Sequence, residues 1–422
     1  MNRLEQALHY MQKVFALKTR LRAVRDPRPF PQIDVMAALV CLLLAVFMRV
    51  PSYLDLAQQT QRRRWRRLCG LKEPVGDDFF GYVTERLEAE DLRQGLAGCV
   101  KTLKQNKALE SCKINGLLFL SLDANEHFAS RSRCCPACCQ RQVEVLGSDG
   151  QRHRVTEYYH RYVFSQINGP KINVPLDLEP IRPGEDECAA ALRLLGRLRR
   201  IYGPRFFDAI TADAWYAKGP FLRAVDKLGW AWIVVLKRED MEVFQEARQL
   251  SQGQEPGAPF DDEDRQRQVQ LWDVKDLSFS QEYGRPVRVV RSEEQWTQTR
   301  QRGGHPERQA QKSLWVWAAS LKLDCYPAGV IYQGGHRRWG IENKAFNELT
   351  QGYHLDHCYH HEPASMLAQM LILLWGFLLF NAFAQLHSKL ILLAKLTAKA
   401  LAKQLDLALE QDLPWEQWFQ SG

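Results

Sequence analysis

The stretch GGHRRWGIENKAFNEL, residues 334–349, guides the interpretation of the rest of the chain. It predicts the start of a helix that carries one carboxylate, Glu342, behind a cluster of cations. Arg338 lies four residues before Glu342, and this spacing puts both side chains on one face of an α-helix. A lone Arg–Glu pair of this kind is usually a solvated ion pair that stabilises the helix little. Its meaning therefore depends on which other carboxylates the fold brings close.

Two aspartates upstream follow apolar runs that predict buried strands. The run GLLFLSLD ends on Asp123, and RFFDAITAD ends on Asp213. An aspartate that closes a buried strand is placed like a site residue, although many such aspartates only cap the next turn. The sequence therefore offers three carboxylates, two at strand ends and one, Glu342, on a helix.

These residue types suit metal-dependent phosphoryl transfer. Carboxylate oxygens are hard ligands that bind Mg²⁺ or Mn²⁺. Two such ions, about 3.5–4 Å apart, can activate a nucleophile and stabilise a leaving oxygen. Arg338 can hold a non-bridging phosphate oxygen or orient Glu342. Sequence separation alone proves nothing, because a chain of 422 residues contains many such triples.

Positive charge is concentrated at the N-terminus. Residues 1–110 contain 19 Lys and Arg against 12 Asp and Glu. The difference between these two counts makes up most of the net charge of +8. Helical spacing of apolar residues predicts an all-helical region here. One basic run surrounds Trp65 and comprises Arg62, Arg63, Arg64, Arg66 and Arg67. Such a run suits phosphate contacts with base stacking, and the alternative is a solvated helix end.

The order of predicted elements indicates the fold class. From residue 113 to residue 240 it is strand, strand, strand, helix, strand, helix, strand. This order matches an α/β fold with an RNase H-like mixed sheet flanked by helices. The predicted domains are a helical DNA-binding domain (1–112), a first part of the catalytic core (113–238), a mostly β insertion with a flexible start (239–335), a second part of the core (336–395) and a helical tail (396–422).

Four of the 11 cysteines fall between residues 134 and 139. The N-terminus does not read as a signal peptide, so we expect a reducing compartment in which clustered cysteines indicate metal. Cys135 and Cys138 have the spacing of a zinc knuckle. The remaining ligands would come from Cys134, Cys139, His127, His153 or His160. The alternative is a small cluster of reduced thiols. A later stretch with four histidines, HLDHCYHHEP, has the composition of a metal site but lacks convergent spacing.

Two apolar runs allow a membrane interpretation. VMAALVCLLLAVFMRV covers residues 35–50, and MLAQMLILLWGFLLFNAFAQL covers residues 366–386. The second run is long enough to span a bilayer. Neither has clear anchoring flanks, and buried helices of a large core have the same composition. We expect core helices and no membrane partner.

Three segments together resemble the DDE transposases of bacterial insertion sequences. They are RRWGIENKAFNEL, ADAWYA after its apolar strand, and LSLDANEHFASRSRCCPACCQR. The likeness is to the cut-and-paste type with a β insertion before the glutamate. The resemblance implies an RNase H-like core and metal-dependent cleavage and strand transfer on double-stranded DNA, at transposon ends and target. It also implies a homodimer in the DNA complex and a cytoplasmic, nucleoid-associated location in bacteria.

The resemblance assigns roles to residues of this chain. Asp123 matches the family's first aspartate, Asp213 its second and Glu342 its glutamate. Arg338 matches the arginine of the tyrosine–arginine–glutamate–lysine signature. In the family an aromatic residue can stack on a flipped base, and two tryptophans, Trp215 and Trp339, are candidates for that role and for core packing.

Two signature positions depart from the family pattern. The signature tyrosine would fall at Gly335, with Tyr332 nearby, and the lysine at Leu349, with Lys344 nearby. These departures affect the expected phosphate contacts but not the three carboxylates. They leave open a second hypothesis, a decayed or domesticated transposase that binds DNA without cleaving it. A third hypothesis is an integral membrane protein.

Overall fold

The chain forms two compact units in a computed structural model that describes residues 2–148, 150–302, 305–387 and 396–410. The first unit comprises Met1–Cys112, Ala124–Tyr202 and Ile341–Gly422. The second unit comprises Lys113–Asp123 and Gly203–Gly340. Each unit is described separately below.

The N-terminal part of the first unit is helical, as the sequence predicts. Polar caps start several of its helices: the Asp34 carboxylate accepts from the amide of Met36, and the Ser52 hydroxyl accepts from that of Asp55. Residues 2–112 contain seven α-helices, namely α1 (Arg3–Phe15), α2 (Leu17–Arg22), α3 (Val35–Met48), α4 (Tyr53–Thr60), α5 (Arg63–Cys69), α6 (Asp77–Thr84) and α7 (Ala89–Gln105), and one 3-10 turn (Glu110–Cys112).

The C-terminal part of the first unit adds a long apolar helix to these. Its elements in the described residues are a π-helical turn (Ile341–Phe346), α12 (Asn347–Tyr353), α13 (Pro363–Ala382), a second π-helical turn (Phe383–His387) and α14 (Ala398–Leu409). Helix α13 packs against α3, α6 and α7. The approach to α7 is close, because a Cβ atom at Gly95 would lie 2.4 Å from the Trp375 ring.

The two apolar runs of the sequence form helices that are buried in the core of the first unit. Among the described residues, one helical stretch, Pro363–His387, is long and apolar enough to cross a membrane, and 94% of its most apolar window is buried within the fold. Helices α3 and α4 pass the same test only as a single broken span with a bend of 109°. Nearly every residue of α3 is buried as well. The composition of both runs therefore follows from their place in the core of the first unit.

The first unit also contains a group of antiparallel strands. They are β2 (Cys139–Leu146), β3 (Arg152–Asn168) and β4 (Asn173–Pro180), together with the second part of β1 (Phe119–Ser130). Strand β2 pairs with the first half of β3, and β4 pairs with the second half. Four strands therefore precede the long helix α8 (Glu187–Tyr202), where the sequence predicts three. Strand β2 escapes prediction because most of its side chains are exposed and no apolar run marks it.

A buried charge network joins β4 to two helices of the first unit. The Asp177 side chain on β4 is only 1% exposed. It accepts from Arg93 Nε of α7 at 3.0 Å and from Arg197 Nε of α8 at 2.6 Å. Arg197 also reaches Glu179 at 2.6 Å. Buried carboxylates are tolerated when guanidinium groups neutralise them in this way, and the network fixes how these elements pack.

The second unit is built on a mixed sheet with helices. Its strands are the first part of β1, β5 (Ala209–Ala212), β6 (Ala231–Val235), β7 (Phe260–Asp262), β8 (Arg267–Ser278), β9 (Pro286–Arg302) and β10 (His305–Ser320). Strands β1, β5 and β6 are parallel neighbours, while β6, β10, β9, β8 and β7 pair antiparallel in that order. Its helical elements are α9 (Gly219–Leu228), α10 (Glu242–Gln252), α11 (Ala328–Arg337) and two 3-10 turns (Ala214–Tyr216, Leu321–Leu323).

The region expected to be a β insertion contains the four strands β7–β10. It also contains helix α10, which the polar composition of residues 239–253 concealed. Residues 250–264 were expected to be flexible. This stretch contains the last residues of α10 and the edge strand β7. The expectation that this stretch lacks regular structure is therefore wrong at residues 250–252 and 260–262, and a short exposed edge strand such as β7 has few apolar residues to mark it.

Candidate functional site

The pairing of β1 with β5 puts two predicted site residues next to each other. The strands are parallel, with Ser121 opposite Thr211, and continuing this register by two residues places Asp123 beside Asp213. Adjacent strands lie about 4.8 Å apart. The hydroxyls of Ser121 and Thr211 are 3.1 Å apart, so these two side chains share one face of the sheet. Because side chains alternate along a strand, the two aspartates project from that same face.

The two aspartates differ in their place on the strand. Asp213 directly follows β5, as the sequence predicts, and its Oδ1 accepts from the amide of Trp215 at 2.9 Å. Asp123 does not close its strand, because β1 continues to Ser130, and that expectation is wrong. The run of buried residues ends at Leu122, so the apolar pattern stops at Asp123 although the strand does not.

Arg338 brings a cation to this pair. Its Nη1 lies 3.3 Å from Asp123 Oδ2, and the two side chains are 3% and 13% exposed. A guanidinium held in such a place neutralises a carboxylate and can bind a phosphate oxygen. The second unit therefore brings together three of the four predicted catalytic residues, Asp123, Asp213 and Arg338.

Glu342 lies four residues after Arg338 along the chain and belongs to the first unit. The helix before it, α11, begins at Ala328 rather than at Gly334 and ends at Arg337. Glu342 itself is half-buried in the π-helical turn Ile341–Phe346. The expected α-helical spacing from Arg338 to Glu342 is therefore wrong. Single π-helical turns are frequent at functional sites, where they change the direction of a side chain.

Packing of α11 explains the missing signature tyrosine. A Cβ atom at Gly335 would lie 2.3 Å from Trp317 Nε1 of β10, and one at Gly334 would lie 2.9 Å from Ile233 Cδ1. Glycine at these positions lets the helix approach the sheet closely. No larger side chain fits at Gly335 while Trp317 keeps this position.

The residues near the signature positions serve the core. The Tyr332 ring is 1% exposed, and its hydroxyl donates to Asp262 Oδ2 at 2.8 Å. Leu349 is also buried. The side chain of Lys344 lies outside the described part of the chain. Tyr332 therefore does not take the place of the signature tyrosine at the surface.

A buried carboxylate that the sequence did not single out holds α11 in place. Glu294 on β9 lies 3.1 Å from Arg265, 2.5 Å from Arg267 and 2.6 Å from His336 of α11. Burial alone would raise the pKa of Glu294, but the hydrogen bond from His336 and the nearby positive charges hold that pKa at about 2. His336 lies two residues before Arg338, so this ion cluster supports the helix end that presents the arginine.

The two candidate stacking tryptophans differ in exposure. Trp215 is 55% exposed, two residues after Asp213, and Lys218 Nζ lies 4.5 Å from its ring centre. Trp339 is half-buried and packs edge-on against Trp315 at 4.8 Å. Trp215 is therefore the better placed of the two for stacking on a base.

The basic run forms helix α5, and its members have different surroundings. Trp65 is fully buried, so the expectation that it stacks on bases is wrong. The Arg62 guanidinium pairs with Asp406 at 2.7 Å and with Glu410, both of the C-terminal segment.

The other arginines of α5 lie at its surface or against its backbone. Arg66 Nη1 donates to the carbonyls of Thr60 and Gln61, both at 2.8 Å. Arg64 is half-buried, while Arg63 and Arg67 are exposed. The exposed pair is best placed for contact with a polyanion.

The cysteine loop forms a second cluster of metal-ligating side chains, within the first unit. It comprises Cys135, Cys138, His160 and His361, whose ligand atoms all lie within 4.8 Å of one another. The sequence predicts the cysteine pair and has His160 among the candidate partners. His361 was missed, although it belongs to the histidine-rich stretch HLDHCYHHEP. Burial lowers the pKa of His160 to about 4, which favours the neutral form that binds metals. The cluster is compatible with zinc.

The other candidate ligands lie elsewhere. Cys134 and His153 are exposed, and neither belongs to the cluster. The Cys139 thiol donates to the Ile181 carbonyl at 3.8 Å. His127 Nδ1 forms a short contact with the Leu355 carbonyl.

Comparison with known proteins finds a family match for one part of the chain. Residues 174–379 match the family model described as the transposase DDE domain. The match includes Asp213, Arg338 and Glu342 and begins after Asp123. Among solved structures, the chain is similar to the piggyBac transposase synaptic complex with hairpin DNA, with 11% sequence identity and a TM-score of 0.44, over 99% of this chain and 84% of that one. No curated protein matches the sequence.

The close approach of α11 to β10 leads to a stability prediction. Gly335→Ala should lower the free energy of unfolding by about 1–3 kcal/mol, because the added methyl overlaps Trp317. Gly329→Ala on the same helix is the matched control. A Cβ there meets nothing within 4 Å, so helix propensity should leave stability unchanged or raise it by up to about 1 kcal/mol. Urea unfolding measures both, and equal effects of the two substitutions would contradict this packing.

Proposed function

We propose that this chain is a transposase that cleaves DNA at transposon ends and joins them to a target, because residues 174–379 match the model of the transposase DDE domain. The observation that carries the proposal is the parallel register of β1 and β5, which, continued by two residues, brings Asp123 level with Asp213, with Arg338 against Asp123. The RNase H-like sheet expected from the sequence is part of this proposal. The parallel order of β1, β5 and β6 supports it.

The residues fit a divalent metal site. Asp123 and Asp213 offer hard oxygen donors from one face of the sheet. Glu342 is the third carboxylate that the resemblance to DDE transposases assigns to the metal. Mg²⁺ or Mn²⁺ suits such donors and keeps positions for water and phosphate oxygens. When bound, these ions activate the attacking hydroxyl and neutralise charge on the phosphate.

Arg338 has two roles in this proposal. Against Asp123, the guanidinium offsets the charge of the paired carboxylates before metal and DNA bind. Asp123 would hold the metal, and Arg338 would bind a non-bridging phosphate oxygen and orient the scissile phosphate for in-line attack. Its burial keeps the guanidinium in one place, which favours this positioning.

DNA contacts are assigned to both units. The exposed Arg63 and Arg67 of α5 bind backbone phosphates, in keeping with the excess positive charge of the N-terminal region. Trp215 stacks on a base beside the cleaved bond, next to Asp213. Two protomers pair the two transposon ends. The protein acts on the bacterial nucleoid in the cytoplasm.

The first test of this function is DNA cleavage. Purified protein is incubated with Mg²⁺ or Mn²⁺ and a plasmid that carries its gene with the native flanking DNA, and cuts at the flanks are mapped. Asp123→Asn, Asp213→Asn and Glu342→Gln should each lower the cleavage rate by roughly 100-fold or more. Asp240→Asn is the control, because this exposed carboxylate pairs with the exposed Arg238.

The pattern of results separates the hypotheses. Cleavage by wild type and by the Asp240 variant, but not by the other three, supports the proposed transposase. Binding to the flanks without cleavage under either metal favours the decayed, DNA-binding alternative. Cleavage that survives all three substitutions contradicts the assignment of the carboxylates.

A second test concerns the basic helix α5. Each lost phosphate contact should reduce the slope of log affinity against log salt concentration by about 0.9. The double variant Arg63→Ala, Arg67→Ala should therefore reduce the slope by nearly two, measured by fluorescence anisotropy with flanking DNA. Arg62→Ala is the matched control, because Arg62 pairs with Asp406 and Glu410 and should leave the slope unchanged. A slope that changes only in the Arg62 variant would contradict the assignment.

A further inference from the structure

We propose that Cys135, Cys138, His160 and His361 bind one zinc ion that fastens the segment between α12 and α13 to the β1–β2 loop. The site is distinct from the carboxylate site. Its four ligands come from the first unit alone. The ion has a structural role, because four protein ligands leave no open position for a substrate.

The distances between the ligand atoms match a tetrahedral zinc site. Bonds of about 2.3 Å to sulfur and about 2.0 Å to nitrogen put two sulfurs about 3.8 Å apart and a sulfur and a nitrogen about 3.5 Å apart. In the structure the two Sγ atoms are 3.6 Å apart. His160 Nε2 lies 3.4 Å from Cys135 Sγ and 3.2 Å from Cys138 Sγ, and His361 Nε2 lies 3.5 Å from Cys138 Sγ.

The backbone of the cysteine pair has the form that thiolate ligands need. The amide of Cys138 donates to the Cys135 carbonyl at 3.0 Å, which closes a tight turn. The amide of Cys135 donates to Cys138 Sγ at 3.3 Å. An amide directed at sulfur stabilises the thiolate, which is the form that binds metal.

The surroundings exclude water and hold the histidines. Cys138 and His160 are 3% and 5% exposed. The His361 ring stands perpendicular to that of His160 at 5.5 Å and packs against Phe128 at 5.1 Å. Two imidazoles that converge on a thiol pair, of which Cys138 is buried, are typical of a metal site.

A disulfide explains the cluster less well. A disulfide requires an S–S distance of about 2.05 Å, well below the separation of these two sulfurs. It would also leave the two histidine nitrogens directed at a group that cannot use them. A reduced thiol pair in a loop accounts for the cysteines but not for the approach of His361, which is 223 residues from Cys138 along the chain.

The ion would join three segments that are distant in sequence. Cys135 and Cys138 lie in the β1–β2 loop, His160 lies on β3, and His361 lies just before α13. The short contact of His127 with the Leu355 carbonyl fastens the start of the same segment. Because α12 and its preceding π-helical turn lead into this segment, zinc would restrict the chain directly after Glu342.

The test begins with metal content. Protein from a zinc-supplemented culture, purified under reducing conditions, should contain about one zinc per chain by elemental analysis. Cys138→Ser and His361→Asn should each reduce zinc content at least fivefold, whereas the control variants Cys134→Ser and His153→Asn should retain it. Circular dichroism monitors folding. Zinc that is retained in both ligand variants, or lost equally in the controls, would overturn the assignment.

Cobalt substitution keeps the test decisive if a ligand variant does not fold. Wild-type protein loaded with Co²⁺ should show the strong visible absorption of a tetrahedral ion bonded to thiolates, and added Zn²⁺ should abolish it. Removal of the metal should speed hydrogen exchange of amides 354–362 at least tenfold, with little change in α7. A folded wild-type chain that binds neither ion, or that contains a Cys135–Cys138 disulfide, would refute the proposal.

Discussion

Parallel pairing of β1 with β5 is the constraint on which the candidate catalytic site depends. Two carboxylates repel each other, and a fold brings them together only where backbone hydrogen bonds fix their positions. The register of Ser121 with Thr211 does so here and sets Asp123 beside Asp213. Arg338 then supplies the neutralising charge, at the end of a helix that close packing at Gly335 and the ion cluster of Glu294 hold against the sheet.

Among the described residues, buried carboxylates in both units have cations against them. Asp177 lies between Arg93 and Arg197 in the first unit, and Glu294 lies among Arg265, Arg267 and His336 in the second. Arg338 and Asp123 form a pair of the same kind, at the point of β1 where the run of buried residues ends. Unlike the other two networks, this pair has a second carboxylate, Asp213, beside it in the β1–β5 register.

The sequence predicts features that depend on local pattern and misses those that depend on distant contacts. Asp213 was found because an apolar strand ends directly before it. The length of β1 was not predicted, because the run of buried residues ends before Asp123 whereas the strand continues to Ser130. The role of Gly335 can be seen only when the position of Trp317 is known. The place of His361 in the cysteine cluster depends on a contact with Cys138, which is 223 residues away along the chain. Neither leaves a periodic trace in the sequence.

Iron-directed cleavage tests the metal site most directly. Fe²⁺ replaces Mg²⁺ at carboxylate sites and, with ascorbate and peroxide, generates radicals that cut the backbone nearby. The account predicts cuts near Asp123 and Asp213, mapped by mass spectrometry, that excess Mg²⁺ suppresses and Asp213→Asn abolishes. Cuts confined to other parts of the chain, or cuts at these positions that Asp213→Asn leaves unchanged, would contradict a metal site on the paired strands.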